Sequence, residues 1–242
     1  MQVRPTRTTV RVGTFGDPRK LRHMTHPAKV LRAARKTTRR PGYSSSTKKA
    51  LLDNAAELFT AHGYAGTSLD EVVAAARVTK GALYHHFPSK LALFESVFLR
   101  IQEDTTAQIQ RRINSAKDPW ERARIGLASF LEACQQPQFR RICMQEGPVA
   151  LGHERWADAE RAAALGIVKA TVDDLLADLG VGEELADAFA VIFYGAIRSA
   201  SEYVADAEDA EHASEQVQSA IAVILTGMRS LPGVEKVEPL ER

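Results

Sequence analysis

The chain has 242 residues, of which 45% are hydrophobic, 26% charged and 7% aromatic, and this length suits one or two globular domains. Its 15 Gly and 10 Pro are too few for a collagen-like or low-complexity protein, and no apolar run approaches the roughly 18 to 20 residues of a membrane span. Its two cysteines, Cys134 and Cys143, cannot build a disulfide framework and belong to no CxxC or Cys/His cluster. The N-terminus lacks the apolar core of a signal peptide, so we expect a cytoplasmic protein.

The charge is divided unevenly along the chain. Residues 1–50 contain 14 Lys and Arg and one acidic residue, Asp17, whereas the remainder contains 18 basic and 29 acidic residues. Residues 1–44 have few apolar side chains to bury, which predicts a disordered basic arm. Such an arm either binds a polyanion, for instance along the minor groove of DNA, or stays solvated without a partner. Met24 is an alternative start that would remove much of the arm and keep the predicted helices.

Apolar residues at helical spacing begin after Ser46 and predict a first helix over residues 47–62. They are Leu51, Leu52, Ala55, Ala56, Leu58 and Phe59. Gly63 follows, and glycine is the residue best suited to the left-handed conformation that ends a helix. Ser68 and Glu71 have the spacing of a capping box, which predicts a short second helix over 69–76.

A third helix is predicted over 80–86, because Thr79 is a suitable N-cap and Pro88 ends the helical pattern. Ser89 is placed to cap a long fourth helix over 89–115. Two short helices joined by a tight turn and preceded by a longer one are typical of a helix-turn-helix, whose second short helix enters the major groove. The alternative is three structural helices with no role in DNA binding.

Particular residues in this segment support the first interpretation. Twenty positions between residues 47 and 94 are in register with a known signature. They are Leu52–Phe59, Gly63–Tyr64, Thr67–Ser68, Val78–Thr79, Gly81, Leu83–Tyr84, His86–Phe87 and Lys90. In this pattern the chain resembles the N-terminal part of tetracycline-repressor (TetR) family transcriptional regulators.

The resemblance implies an all-α homodimer with an N-terminal three-helix helix-turn-helix DNA-binding domain and a C-terminal helical ligand-binding and dimerisation domain. We accordingly predict domains over 45–92 and 93–231, with a flexible tail over 232–242. One position departs from the family, since many members have Gly in the turn where this chain has Arg77. Arg77 is expected either to adopt a strained turn, at about 1 kcal/mol, or to shift the turn, and its guanidinium could contact a phosphate.

Residues near the start of a recognition helix read the bases, and small ones let the backbone approach the groove. The candidates of this kind are Thr79, Lys80, Gly81, Ala82 and Tyr84. By resemblance, Tyr84, Lys90, Thr47, Thr67 and Ser68 are expected to contact the DNA backbone, and His85 either faces the groove or packs aside. For each of these, ordinary capping or surface exposure is the alternative. The His85–His86 pair does not predict a metal site, because adjacent helical side chains point about 100° apart.

Beyond Ile101 only the pattern of the sequence remains informative. It predicts helices over 89–115, 118–134, 138–145, 153–179, 183–205 and 208–230. Gly and Pro mark the turns between them, including one at Gly147–Pro148. The segment 147–152, followed by Arg155–Trp156, is similar to a loop in one branch of the TetR family and is expected to line a ligand cavity.

The last two predicted helices have broad apolar stripes, wide enough to pack within the subunit and against a second copy. The stripe residues are Leu185, Phe189, Ile192, Phe193, Ala196, Ile197 and Ala200, then Val217, Ala220, Ile221, Ile224, Leu225 and Met228. Paired across a two-fold axis, these helices would form a four-helix homodimer interface. A monomer with a purely intrachain core is the alternative.

A ligand pocket between helices needs an apolar lining with a few polar groups. Candidate lining residues are Phe98, Phe130, Cys134, Met144, Trp156, Phe193 and Tyr194. Each of them could instead fill the core, as aromatic and Met residues at helical spacing commonly do. The lining predicts a mostly apolar small-molecule effector, and no cofactor or metal is expected.

The sequence therefore predicts a cytoplasmic, nucleoid-associated transcriptional regulator, most often a repressor in this family, that binds a palindromic double-stranded DNA operator as a dimer. A small molecule bound in the C-terminal body would favour a dimer that no longer fits the operator. The alternative is a sequence-independent architectural DNA-binding protein anchored by the basic arm. An enzyme is disfavoured, because no catalytic triad, phosphate-binding glycine loop or HExxH pair is present.

Overall fold

The computed structural model describes residues 41–230, which form an assembly of helices without any strand over that range. The predicted basic arm, up to residue 40, and the C-terminal tail lie outside the described residues. The α-helices are α1 (Pro41–Gly66), α2 (Leu69–Ala75), α3 (Lys80–His86), α4 (Lys90–Ile113), α5 (Pro119–Gln135), α6 (Pro137–Phe139), α7 (Gly147–Leu151), α8 (His153–Leu179), α9 (Ala186–Asp206) and α10 (Ala210–Arg229). A π-helix (Arg140–Glu146) joins α6 to α7, and a 3₁₀ turn (Glu183–Leu185) precedes α9. The all-α class is as predicted.

The first residues of α2, α3 and α4 follow the predicted capping signals. Ser68 accepts a hydrogen bond from the Glu71 backbone N–H at 3.2 Å, while the Ser68 N–H donates to the Glu71 carboxylate at 2.7 Å. Thr79 and Ser89 cap α3 and α4 through their hydroxyls. Helix α1 differs from its prediction, since it begins at Pro41 rather than residue 47 and regains one turn beyond Gly63. The prediction that the disordered arm extends to residue 44 is therefore wrong for residues 41–44, which belong to α1. Gly63 itself has the predicted positive φ, 70°.

The turn between α2 and α3 contains the expected strain. Arg77 has a φ of 54°, the only positive value for a non-glycine residue in the described part of the chain. A side chain in this conformation costs about 1 kcal/mol relative to glycine. Of the two outcomes expected for Arg77, the structure therefore has the strained turn and not the shifted one.

Helix α4 connects the first three helices to the rest of the molecule. Phe59 of α1 packs edge-to-face on Phe94 of α4 with ring centroids 5.1 Å apart, and Arg100 donates to Asp53 at 2.7 Å. The buried apolar cluster around these rings continues through Ile142 and Trp156. One core thus contains residues from both sides of the boundary predicted between the two domains, at residues 92 and 93. The domain bounds stay predictions.

The segment from Pro137 to Leu151 corrects the sequence analysis. A turn was predicted at Gly147–Pro148, but both residues are helical and belong to α7, which ends at Leu151. Proline is tolerated because it occupies the first turn of α7, where its missing N–H has no intrahelical partner to lose. Glycine is required by packing, since a Cβ on Gly147 would lie 2.8 Å from the Trp156 ring.

The C-terminal half is a bundle in which α5, α8, α9 and α10 pack together. Two buried clusters hold it, one centred on Leu131 and Val204 and the other on Val172 and Leu176. Helix α8 ends at Leu179, as predicted, and Gly180 follows it in the left-handed conformation. Over residues 41–230, none of the helices is long and apolar enough to cross a bilayer.

Candidate DNA interface and ligand cavity

The outer surface of α3 carries most of the predicted base-reading residues. Leu83 is completely buried against the core, which orients the helix so that its opposite side faces outward. Thr79, Lys80, Gly81, Tyr84 and His85 are exposed there, and Ala82 is partly exposed. A short helix that is anchored by one buried leucine and carries small and polar residues outside can enter a major groove.

Lys80 is held by a neighbour on α2. Its ammonium lies 2.7 Å from the Asp70 carboxylate, and this contact raises the pKa of Lys80. Both side chains are about two-thirds exposed, so the pair contributes little to stability in water. Asp70 thus holds the ammonium of Lys80 beside the N-terminus of α3.

The predicted backbone-contacting residues are placed less uniformly. Lys90 lies at the N-terminus of α4 with its ammonium 4.5 Å from the centre of the Tyr64 ring, where it can meet a phosphate. Ser68 is exposed and Thr47 partly exposed. Thr67 is buried, and its hydroxyl hydrogen-bonds the Gly63 carbonyl at 2.9 Å, so its side chain supports the turn after α1 and does not face outward.

An apolar cavity of about 150 Å³ lies inside the C-terminal bundle, between α4, α5, α8, α9 and α10. Of the predicted pocket residues, Phe130, Phe193 and Tyr194 line it. Phe98, Cys134, Met144 and Trp156 belong instead to the neighbouring core cluster. Trp156 donates its indole N–H to the Cys143 carbonyl at 2.8 Å, and burial raises the pKa of Cys134 to about 12, so both residues serve the packed core. Segment 147–152 is also absent from the lining.

One end of the cavity is polar, which the sequence analysis did not predict. The side chain of Glu160 on α8 meets Arg198 and Tyr194 of α9 there, and all three line the cavity. Glu160 Oε2 is buried without a hydrogen-bond partner among the described residues, and Arg198 Nε lies 3.9 Å from it. Burial raises the pKa of Glu160, and Glu202 raises it further, while Arg198 opposes both effects. No local sequence signal marks this group, because Glu160 of α8 is far along the chain from Tyr194 and Arg198 of α9.

A second, open groove of about 850 Å³ lies beside the cavity, between α1, α4, α5 and α6. Its lining includes charged side chains such as Glu57, Asp104 and Arg112. Thr105, Ile109 and Phe139 line both the groove and the cavity. These three side chains therefore form a shared wall between the apolar cavity and the outside of the molecule.

Two family descriptions match the chain over consecutive parts of this structure. "Bacterial regulatory proteins, tetR family" matches residues 51–97, which contain α2, α3 and their flanking helices. "Tetracyclin repressor-like, C-terminal domain" matches residues 120–228, which contain the helices around the cavity.

Individual relatives agree with these matches. The crystal structure of a TetR-family transcriptional regulator from Pectobacterium atrosepticum is 30% identical, with a TM-score of 0.69, and the alignment covers 80% of this chain and 100% of that one. The HTH-type transcriptional regulator SrpR of Pseudomonas putida is 28% identical over 114 residues, 47% of this chain and 52% of SrpR. The negative transcriptional regulator IcaR of the Staphylococcus aureus biofilm operon icaADBC is 42% identical over 48 residues, 20% of this chain and 26% of IcaR. The chain thus spans about half or less of the length of these two curated relatives.

Proposed function

The chain belongs to the TetR family of helix-turn-helix transcriptional regulators, and from this we propose that it is a ligand-responsive repressor that binds a palindromic operator as a homodimer. The observation that carries the proposal is the exposed surface of α3, where Thr79, Lys80, Gly81 and Tyr84 face outward around the buried anchor Leu83. Its target would be double-stranded chromosomal DNA, which places its action in the cytoplasm. The repressor role is supported by the relative IcaR, whose name describes a negative regulator.

The last two helices support the homodimer. Five of the eight large hydrophobic side chains that are exposed in the described chain lie on α9 and α10: Val191, Ile192, Tyr203, Val223 and Ile224. Apolar surface concentrated on adjacent helices marks an interface. A two-fold axis through this surface would bring together α9 and α10 of two copies and space the two α3 helices about 34 Å apart, one turn of DNA.

The cavity supports a small-molecule effector. Its lining is mostly apolar, with the charged group at Glu160 and the polar side chains of Gln102, Thr105, Thr106 and Thr171, and its walls come from α4 as well as from α9 and α10. A ligand that changes the packing of these helices would act on both the DNA-binding helices, through α4, and the dimer surface. Its effect on operator affinity equals the difference between its affinities for the two arrangements.

The test is selection of bound genomic fragments by the purified full-length protein at physiological salt, where non-specific phosphate binding is weak. We expect one or a few palindromic sequences. In a mobility-shift assay on the best sequence, Lys80→Ala should weaken binding about 5- to 150-fold, the range for losing one base contact.

Lys117→Ala is the matched control, because it removes the same charge from an exposed position between α4 and α5, outside the predicted DNA-binding residues. Unchanged affinity of Lys80→Ala for the selected sequence would remove Lys80 from the contacts. Fragments without a shared sequence would contradict the proposal and favour the architectural alternative. Binding would then survive Lys80→Ala and be lost when residues 1–45 are deleted.

A further inference from the structure

We propose that the cavity binds a small lipophilic amine in its ammonium form, with the ammonium hydrogen-bonded to Glu160 Oε2 and the apolar part between α4, α5, α8 and α10. The inference deepens the proposed function, on which it rests, by assigning the chemical class of the effector. It follows from the charge at the polar end of the cavity, the size of the cavity and the character of its walls.

The carboxylate of Glu160 is incompletely satisfied. Its side chain is 21% exposed, and Oε2 is buried with no hydrogen-bond partner in the described structure. A buried carboxylate oxygen without a donor is unfavourable and is therefore a ready acceptor for a ligand donor. Oε2 itself is covered, but Glu160 lines the cavity and its side chain is 21% exposed, so a bound molecule meets the carboxylate and reaches Oε2 when the side chain turns.

Arg198 does not neutralise this carboxylate on its own. Its Nε lies 3.9 Å from Glu160 but 3.3 Å from Glu202, and its guanidinium rests 5.1 Å from the centre of the Trp156 ring. Two carboxylates therefore share one guanidinium, which favours a ligand that brings positive charge. A ligand carboxylate would have to compete with both of them for Arg198, and it would lie against Glu160. A neutral hydroxyl could donate to Oε2 but would leave the excess negative charge in place.

The rest of the cavity limits the apolar part of the ligand. A volume of about 150 Å³ is close to that of a cavity known to hold one benzene molecule. Most of the other lining side chains are apolar, among them Ile109, Leu127, Val172 and Leu225. An amine with one aromatic ring on a short linker fits this space, with its ring among these side chains.

Three probes that differ only in the polar group test the inference: 2-phenylethylamine, 2-phenylethanol and phenylacetate. Binding to the purified full-length protein is measured by calorimetry and by the shift in Tm. We expect the amine to bind at least about tenfold more tightly than the alcohol, a difference of about 1.4 kcal/mol, and phenylacetate to bind least. Phenylacetate binding more tightly than the amine, equal binding of amine and alcohol, or no binding of the amine would overturn the proposal.

Two variants with opposite expected effects on amine binding distinguish a change at the site from misfolding of the variant. Glu160→Gln keeps the size of the side chain and should abolish the preference for the amine. Arg198→Met keeps an apolar stem on Trp156, removes the competing cation and should bind the amine more tightly, a gain that an unfolded variant cannot produce. Glu154→Gln is the matched control, because it makes the same change at an exposed position of α8 that does not line the cavity, and it should keep the preference for the amine. Retention of the preference by Glu160→Gln would contradict the assignment.

The proposed operator binding and the proposed amine site are tested independently of each other. Operator selection tests it without any amine, and amine binding is measured without DNA. If a specific operator is found and 2-phenylethylamine weakens its binding to the wild type but not to Glu160→Gln, both proposals are supported. Amine binding that leaves operator affinity unchanged would support the site and contradict the effector role.

Discussion

At the scale of single residues, Arg77 and Glu160 each lower the stability of the folded chain relative to another residue at the same position. Arg77 holds a φ of 54° in the turn before α3, where glycine would relieve the strain. Glu160 places a carboxylate in an apolar cavity, where burial disfavours its charge. Both lie beside a proposed binding surface. Strain and unsatisfied charge often collect at such surfaces, because residues selected for binding are not selected for stability.

The raised pKa of Glu160 predicts a pH dependence of stability. A carboxyl whose pKa is raised by folding binds its proton more tightly in the folded state. The stability that it contributes is therefore complete below its ordinary pKa of 4.5 and is lost as the pH rises through the folded value. At pH 7, Glu160→Gln should raise the free energy of unfolding, by up to about 1 kcal/mol, because Arg198 keeps its contact with Glu202.

The measurement is the Tm of both proteins between pH 4 and 8 without ligand. The difference should shrink toward pH 4, where Glu160 is protonated in both states. Glu154→Gln, at an exposed position of α8, is the control and should not reproduce this convergence. A Tm difference that stays constant across the range would show that proton binding at Glu160 is not its cause.

At the scale of elements, the segment from α6 to α7 is set by what packs on it. Its π-helix lies between the predicted DNA-binding helices and the bundle. Arg140 donates to the Ala205 carbonyl of α9 at 2.7 Å, and the Arg141–Glu146 pair, 2.9 Å apart, closes over Gly63 of α1. Single π-turns inside helical segments are frequent at functional sites. The segment is therefore placed to transmit a change in α9 to the end of α1.

Close packing predicts opposite effects for two glycine substitutions. Gly147→Ala should destabilise the protein by about 1 to 3 kcal/mol, because the new Cβ would lie 2.8 Å from Cδ1 of Trp156 and 3.2 Å from Cε2 of Phe98. Gly166→Ala, in the exposed interior of α8 with nothing within 4 Å of the new Cβ, should stabilise it by about 0.5 to 1 kcal/mol. Urea unfolding of the three proteins measures both changes. Equal stability of Gly147→Ala and the wild type would contradict the contact with Trp156.

At the scale of the whole molecule, the exposed apolar side chains of α9 and α10 predict the oligomeric state. In a two-fold dimer each substitution enters the interface twice. Val223→Glu places a charge where a side chain is 73% exposed in the single chain and should weaken the dimer at least about 100-fold.

Analytical ultracentrifugation at micromolar concentration measures this dissociation. Val149→Glu is the matched control, because Val149 is 80% exposed but lies on α7. It should leave the dimer intact. A wild-type monomer, or a dimer unaffected by Val223→Glu, would contradict the proposed interface.

The sequence alone determined the features that depend on a few neighbouring residues. Ser68 with Glu71, Thr79 and Ser89 cap their helices as predicted. Gly180 adopts the left-handed conformation that ends α8, and Gly63 has the predicted positive φ at the kink within α1. A capping hydrogen bond joins residues three positions apart, so its geometry follows from local sequence. The family signature likewise lies within one contiguous segment.

Only the tertiary structure decided which buried residues face the cavity. Phe130 and Phe193 line it while Phe98 and Trp156 fill the core, although all four are aromatic residues on predicted helices. The meeting of Glu160 with Arg198, and the helical course of Gly147–Pro148, depend on how α8, α9 and α4 cross. A hydrophobic pattern shows that a helix face is buried, but the rotation and crossing of neighbouring helices decide what that face contacts.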